Sequence, residues 1–346
     1  MASNIAEYVQ LVNRYIDEGH TDGLPVIPPY SEAIEEMVKA SGRPGDEVLG
    51  TVPPRYTPLT IETVAINAFM AGCRPEYMPV VVAALEAMLD PGYNWVWPAV
   101  TTKGVAPLVI INGPIRHKLG VNCKGNVFGP GFRANATIGR TLRFIIMNVG
   151  GAKSQQLEKA TFGHAGKYTY VIGEDEEGSP WSPFHVEHGF DKNESTVTVV
   201  ACEGPKQIHN PNPDAGAEGI LLTIADMMSA LTNFSVTGPK EAFVVIGGEH
   251  RQTLKEEGWT KEKIKEYLWD HCGRRAGDIK RIGGGYKGDY IWFEKDIDDS
   301  EWIRLYQSPN DIHIISAGGD AGRMSVIIDG LVNRKHTQWQ IRKIND

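Results

Sequence analysis

The chain has 346 residues, of which 41% are apolar and 23% charged, and its net charge is −8. This composition is ordinary for a globular protein with a sizeable core, and the length suits one large domain or two closely packed ones. No dense Lys/Arg run occurs, which argues against a nucleic-acid partner. No apolar run approaches the roughly 18 residues that would span a membrane, so no membrane partner is expected.

The four cysteines, at 73, 123, 202 and 272, contain no Cys-x-x-Cys pair. This spacing argues against structural zinc and against a thioredoxin-type motif. The first residues form a polar start to an amphipathic helix and lack a signal-peptide pattern. We therefore expect a cytoplasmic protein with reduced thiols, and the sequence indicates no particular cofactor.

Apolar residues recur at helical spacing in the first part of the chain, and short continuous apolar runs indicate buried strands. The elements predicted up to residue 202 are helices at 4–18, 31–41, 60–71 and 75–89, a strand at 106–112, a helix at 134–149 and strands at 168–173 and 195–202. An extended, proline-rich segment at 22–29 separates the first two helices.

The second part of the chain continues this alternation. The elements predicted there are a helix at 216–232, a strand at 242–246, helices at 251–257 and 260–271, and strands at 311–317 and 324–328. Alternating strands and helices predict an α/β fold, with a mixed sheet flanked by helices and two closely packed lobes as an option. We expect 106–112 and 242–246 to share one sheet on which 134–149 packs. The Gly/Pro/Asp-rich stretch at 204–215 places a lobe boundary between 1–204 and 205–346.

Residues 129–140, Gly-Pro-Gly-Phe-Arg-Ala-Asn-Ala-Thr-Ile-Gly-Arg, form a glycine-rich entry into the helix predicted at 134–149. A helix start presents free N–H groups and a partial positive charge, which favour an anion. Arginine suits a planar carboxylate or phosphate. The spacing is neither a Walker loop nor a Gly-x-Gly-x-x-Gly fingerprint, and a tight turn before a core helix is the alternative. The substrate-binding candidates are Gly129, Gly131, Arg133, Asn135, Thr137 and Arg140.

Three further places could supply acid–base or nucleophilic groups. Glu249 and His250 follow a predicted buried strand, where ligands bind in α/β sheets. His164 lies between glycines, where a reactive imidazole would have few packing neighbours. Cys73 lies beside an arginine at a break between two helices, a setting that lowers a thiol pKa. Cys123 beside a lysine is a weaker candidate, and loop histidines and buried core thiols are the structural alternatives.

Two other pairs of residues bear on alternative functions. His185 and His188 have a spacing seen among metal ligands, but we expect no metal site because the histidines are scattered and no Cys cluster supports them. Trp95 and Trp97 could wall a pocket or form an apolar docking surface.

Four strings resemble a little-characterised bacterial family associated with UGSC-type (seleno)proteins. They are Asp22-Gly-Leu-Pro-Val-Ile-Pro-Pro, Met70-Ala-Gly-Cys-Arg-Pro-Glu-Tyr, Asn135-Ala-Thr-Ile-Gly-Arg and Gly258-Trp-Thr-Lys. The resemblance covers most of the chain and implies a sulfur or redox context, although this chain has no Cys-Gly-Ser-Cys or equivalent motif.

The sequence thus favours an enzyme that acts on a small carboxylate- or phosphate-bearing metabolite, in a homo-oligomer or alone. Acid–base chemistry, with Cys73 as an option for the nucleophile, leaves lyase, hydrolase and reductase open. The alternatives are a non-catalytic binding or accessory subunit of a redox complex and a His-ligated metalloenzyme.

Overall fold

The computed structural model describes residues 2–231, 240–281, 296–331 and 336–345. Within these ranges the chain is an α/β structure with mixed sheets flanked by helices, which confirms the predicted class. The helices are α1 (Ala2–Asp17), α2 (Ser31–Ala40), α3 (Ile61–Ala71), α4 (Met78–Leu89), α5 (Val96–Val100), α6 (Ile115–Leu119), α7 (Arg133–Phe144), α8 (Phe184–Glu187), α9 (Gly216–Leu231), α10 (Gly248–Glu256), α11 (Lys261–His271) and α12 (Ala276–Arg281).

The strands divide into two four-stranded sheets and two short antiparallel pairs. The strands are β1 (Val48–Val52), β2 (Thr57–Thr60), β3 (Ala106–Asn112), β4 (Val171–Gly173), β5 (Thr196–Cys202), β6 (Lys206–His209), β7 (Ala242–Ile246), β8 (Gly273–Arg275), β9 (Trp302–Arg304), β10 (Ile312–Ser316), β11 (Met324–Ile328) and β12 (Gln340–Lys343). The first sheet has the order β12-β5-β3-β4, and the second has the order β10-β7-β11-β6.

The two sheets pack face to face, and helices cover their outer faces. Leu108 and Ile110 of β3 lie in one apolar cluster with Val245 of β7, whereas Val109 and Ile111 of β3 face a second cluster formed with the N-terminal helices. The helices α9 and α11 cover the outer face of the second sheet. The result is a helix–sheet–sheet–helix arrangement of four layers.

This arrangement corrects one expectation about the sheets. The strands β3 and β7 are both buried, as predicted, but they belong to different sheets. Their runs are apolar on both faces because one face of each strand meets the opposite sheet and the other meets helices. The sequence pattern is the same for two strands in one sheet and for two strands in stacked sheets.

The fold brings together the carboxyl ends of strands from both sheets. The strands β3 and β4 run parallel in the first sheet, and β7 and β10 run parallel in the second. The backbone N–H of Asp175, just beyond β4, donates to the carbonyl of Ser316, the last residue of β10, at 2.6 Å. Loops that follow these strands therefore meet at one edge of the molecule.

The proposed lobe boundary near 204 stays a prediction. The strand β12, close to the end of the chain, pairs antiparallel with β5 in the first sheet. The last strand thus returns to the part of the molecule that the first 204 residues build. No helix in the described parts of the chain is long and apolar enough to cross a membrane.

Candidate functional site

A cleft of about 480 Å³ opens where the strand ends of the two sheets meet. We call it the strand-end cleft. Its walls come from the loop after α6, the loop after β4, the first turns of α10 and the loop between β10 and β11. The lining residues with charged side chains are Lys124, Glu177, Glu249, Arg251, Lys255 and Asp320. Ligands of open α/β sheets bind outside the carboxyl ends of the strands, which is the location of this cleft.

A buried carboxylate organises the base of the cleft. Asp175 is 0% exposed, and its Oδ2 accepts hydrogen bonds from Lys124 Nζ at 2.8 Å and Arg251 Nη2 at 2.7 Å. Its Oδ1 accepts from the N–H of Gly178 at 3.1 Å. A buried charge must be paired to be tolerated. The hydrogen bond to Asp175 raises the pKa of Lys124, so this side chain stays a cation.

Arg251 is buried at the edge of the cleft, and one of its N–H groups has no partner in the described part of the chain. The residue is 3% exposed and lines the cleft, yet its Nε–H has no hydrogen-bond partner among the described residues. It lies in the first turn of α10, whose leading N–H groups have no intrahelical acceptor. A guanidinium, an ammonium and a helix start therefore border the cleft, which the carboxylates of Glu177, Glu249 and Asp320 also line.

The acidic residues of the cleft differ in what already binds them. The carboxylate of Glu177 accepts from Arg116 and from His117 at 2.9 Å each. Glu249 Oε2 accepts from the backbone N–H of Arg323 at 2.5 Å. Asp320 has a side chain that is 78% exposed, and its Oδ1 lies 3.9 Å from Arg251 Nη2. Asp320 is therefore the carboxylate best placed to meet a ligand beside the cations.

Glycines allow the loops of the cleft to approach one another. A Cβ at Gly247 would lie 2.4 Å from the carbonyl oxygen of Met324, and a Cβ at Gly248 would lie 2.6 Å from the Cα of Asp320. Any larger residue at these positions would displace backbone. Glycine is therefore required at 247 and 248, just before the predicted catalytic residues Glu249 and His250. Its small size lets Asp320 lie against the start of α10.

The helix entry at 129–140 does not line the strand-end cleft. Gly129 lines a second cavity that adjoins the cleft, and Gly131 has a φ of +121° that favours glycine. The side chain of Arg133 is at the surface, and its Nε donates to the carbonyl of Gly72 at 2.9 Å. An anion contact from Arg133 stays a prediction.

The remaining polar residues of the entry bind other parts of the protein. Asn135 bonds the backbone of Asn122 through both side-chain atoms. Thr137 donates to the carbonyl of Arg133 at 2.8 Å. Arg140 forms a two-pronged ion pair with Asp22, with both N–O distances at 2.8 Å. These hydrogen bonds fasten α7 to neighbouring segments and to itself, and substrate binding by Asn135, Thr137 and Arg140 stays a prediction.

His250 also has a different place from the one predicted. The helix α10 begins at Gly248 rather than at 251, so His250 lies inside the first turn and is 0% exposed. Its Nδ1 is 2.8 Å from Ser325 Oγ, on the face of β11 that packs against helices. Burial lowers the pKa of His250 to about 4. This histidine fastens α10 to the second sheet and does not share the cleft with Glu249.

His164 lies at the other end of the first sheet. Its Nδ1 accepts from the N–H of Gly166 at 3.0 Å, and its ring packs edge-on against Tyr170 with centroids 5.6 Å apart. Its nearest neighbours include Gly204, just beyond β5. Burial lowers the pKa of His164 to about 4. His164 is thus near the amino end of β3, whereas the cleft is at the carboxyl end, so the structure does not join it to Glu249.

The predicted nucleophile is buried and protonated. Cys73 is 4% exposed, and its Sγ lies 3.3 Å from Thr141 Oγ1. Burial raises the pKa of Cys73 to about 11, which is the opposite of the predicted shift. The thiol follows the end of α3, so it lacks the helix start that would stabilise a thiolate. Cys123 is also buried, and burial raises its pKa.

The histidine pair and the tryptophan pair that suggested alternative functions each contain one buried and one exposed residue. His185 is 0% exposed, whereas His188 is exposed and its ring packs edge-on against Trp339 with centroids 4.7 Å apart. Within the described ranges, no three His, Cys, Asp or Glu side chains group as metal ligands. Trp95 is 4% exposed and belongs to the core, whereas Trp97 is 52% exposed.

Sequence reasoning missed four residues of the cleft: Lys124, Asp175, Arg251 and Asp320. Two of them carried a usable signal. Asp175 comes just after the strand predicted at 168–173, and Asp320 lies in a glycine-rich loop between two predicted strands. Their meeting depends on two sheets stacking with their carboxyl ends at the same edge, which no local pattern shows.

No protein-family model and no curated protein matches the chain. Among solved structures, it has a slight similarity to cyanuric acid hydrolase from A. caulinodans, with 11% sequence identity and a TM-score of 0.20. The match covers 72% of this chain and 62% of the hydrolase, so the chain spans less than two thirds of that protein's length. A TM-score this low identifies neither a shared fold nor a shared activity. The resemblance to the UGSC-associated family stays a prediction.

Proposed function

We propose that this protein is an enzyme that acts on a small anionic metabolite bound in the strand-end cleft. The carrying observation is the pair of cations on one buried carboxylate: Lys124 and Arg251 are both fixed by Asp175 at the start of α10. Fixed donors that need no reorganisation bind and stabilise negative charge more effectively than mobile ones. A carboxylate- or phosphate-bearing substrate would bind to these two cations.

The proposed chemistry is proton transfer by Asp320. Its carboxylate lies beside the cations and is largely exposed to the cleft. A carboxylate within hydrogen-bond reach of a substrate or of a bound water can take up its proton. Lys124 and Arg251 would meanwhile hold the anionic group and stabilise charge that develops next to it. Hydrolysis and elimination both use this combination, and the product distinguishes them.

The test begins with ligand binding. Small carboxylates, dicarboxylates and phosphate monoesters are screened for an increase in the melting temperature of the wild type, and each hit is titrated by calorimetry. We expect Lys124→Ala to weaken binding of a hit by about tenfold or more, because an ordered charge-assisted contact is lost. The matched control is Lys159→Ala, which removes an exposed lysine outside the cleft and should leave affinity unchanged.

Turnover of each hit is then followed by NMR, which shows whether water is added or a double bond is formed. Asp320→Asn should retain binding and lose turnover by about 100-fold or more, in line with general base catalysis. The proposal is wrong if no small anion stabilises the wild type, or if Lys124→Ala binds the hits as well as Lys159→Ala does.

A further inference from the structure

An apolar groove of about 520 Å³ adjoins the strand-end cleft. Its side chains include Val245 and Val326, which lie on the inner face of the second sheet, together with Phe128, Ala317 and Met324. None of the residues that line it is Asp, Glu, Lys, Arg or His. The groove therefore offers apolar contacts, backbone groups and three uncharged polar side chains, those of Asn126, Gln207 and Ser325, where the cleft offers charges.

The groove and the cleft are lined by the same three loops. Gly125, Gly247 and Gly319 line the groove, and the residue that follows each of Gly247 and Gly319 lines the cleft. At the third loop, Lys124 lines the cleft and the next residue, Gly125, lines the groove. A molecule held by Lys124 thus has the groove one residue away along each wall.

The three loops touch one another at glycines between the two spaces. The Cα of Gly125 lies 3.3 Å from the Cβ position of Gly319, and the Cα of Gly247 lies 3.7 Å from that of Gly318, whose φ of +103° favours glycine. A larger side chain at these positions would project from the loops that separate the cleft from the groove. The volume of the groove also falls within the range of about 300–1,000 Å³ that is typical of small-molecule sites.

From this juxtaposition we infer that the substrate is an amphipathic acid, with its anionic group in the cleft and an aliphatic or aromatic part in the groove. This inference rests on the proposed function, since it assumes that the cleft binds an anion. It adds the class of the substrate: a monoanionic head joined to an apolar body, as opposed to a small polar acid or a sugar phosphate.

The experiment measures affinity along a homologous series. Acetate, butanoate, hexanoate and octanoate are titrated calorimetrically into the wild type at constant ionic strength. We expect the dissociation constant to fall about threefold to fourfold for each added methylene until the groove is filled, as burial of a CH₂ group from water requires.

Two substitutions at one position locate the effect. Val326→Thr keeps the side-chain shape and adds a hydroxyl to the groove, so the gain per methylene should fall while acetate affinity is unchanged. Val326→Phe fills the groove, so octanoate should bind no better than butanoate. Val48→Thr makes the same change at an exposed strand position away from the groove and should leave the series as in the wild type.

The outcomes separate this inference from the function on which it rests. If all four acids bind the wild type equally and Lys124→Ala weakens each of them, the cleft binds anions and the inference about the groove is wrong. If none of the four binds while a dicarboxylate or phosphate monoester from the screen does, the inference is wrong and the proposed function stands. If no anion of the screen binds, or if Lys124→Ala has no effect on any anion that does, both fail. A wild-type gain that persists in both Val326 variants would also overturn the groove as its source.

Discussion

The substitution Asp175→Asn tests the arrangement at the base of the cleft. It keeps the size of a side chain that is 0% exposed, but it removes the charge that holds Lys124 and Arg251. After this substitution, the two cations differ in their access to water. The side chain of Lys124 is 49% exposed and can rehydrate, whereas Arg251 is 3% exposed and cannot. The cost therefore comes mainly from a buried guanidinium whose remaining carboxylate neighbour, Asp320, lies 3.9 Å away and is exposed.

Removing one partner of a buried ion pair costs about 3–5 kcal/mol. We expect the lower end, about 3 kcal/mol in the free energy of unfolding, because one of the two cations regains water. Urea unfolding followed by far-UV circular dichroism measures this change. Asp320→Asn is the matched control: its side chain is 78% exposed, and an exposed substitution should change stability by about 0.5 kcal/mol or less.

A double variant tests whether the buried guanidinium of Arg251 causes this loss of stability. Asp175→Asn combined with Arg251→Met removes the unpaired charge as well as its partner, so it should be more stable than Asp175→Asn alone, since a buried pair replaced by uncharged side chains is often close to neutral. The reasoning is refuted if Asp175→Asn unfolds within about 0.5 kcal/mol of the wild type, or if the double variant loses the sum of the two single losses.

Three further predictions concern residues that the structure places outside the cleft. Arg140→Ala should lower the free energy of unfolding by about 3 kcal/mol, because it leaves the buried carboxylate of Asp22 without its ion-pair partner. The control Arg133→Ala, measured in the same urea series, should cost about 0.5 kcal/mol. Equal losses in the two variants would contradict this prediction. Cys73 should not react with a thiol reagent at pH 8 in the native protein, since burial raises its pKa to about 11; rapid native labelling at Cys73, located by mass spectrometry, would contradict its burial. His250 has a folded pKa of about 4 against an ordinary value of 6.5, so the unfolded chain takes up this proton first as the pH falls. The stability that neutral His250 contributes is therefore lost between about pH 6.5 and pH 4, and the stability difference between the wild type and His250→Gln should shrink over that range; a difference that does not change with pH would be inconsistent with a buried neutral imidazole.

Much of the fold could be predicted from local patterns. The strand at 106–112 and the strand at 242–246 have their predicted bounds, because continuous apolar runs of this length are typical of strands covered on both faces. The helix predicted at 260–271 is α11, whose N-cap Thr260 accepts a hydrogen bond from the N–H of Lys263. Periodicity and capping are local properties, and they identify elements well.

The start of α10 shows where local reasoning failed. Two glycines before Glu249 indicate a loop by propensity, but Gly247 is the N-cap and Gly248 is already helical. The glycines are required by close contact with Met324 and Asp320. Moving the helix start by three residues turns His250 inward against Ser325 and brings Arg251 into the cleft. The error in this boundary therefore concealed that His250 is buried and that Arg251 lines the cleft.

Arg140 and Cys73 show the same limit in another form. Arginine near a helix entry and cysteine beside arginine are both compatible with function, and the sequence could not supply the partners that decide between function and structure. Asp22 lies 118 positions from Arg140 along the chain, and Thr141 lies 68 positions from Cys73. Both partners come from tertiary packing. Homo-oligomerisation, the other expectation that depends on long-range contacts, stays a prediction.

The most direct test of the account is to map the anion site by NMR. Hexanoate is titrated into ¹⁵N-labelled, deuterated protein, and backbone amide shifts are followed to saturation. We predict that the largest shifts occur at Gly248–Arg251 and Gly318–Asp320, with Lys124, and that Phe132–Thr137 at the start of α7 are unaffected. Shifts concentrated at Phe132–Thr137, with the cleft amides unchanged at saturation, would contradict the account and return the anion site to the helix entry.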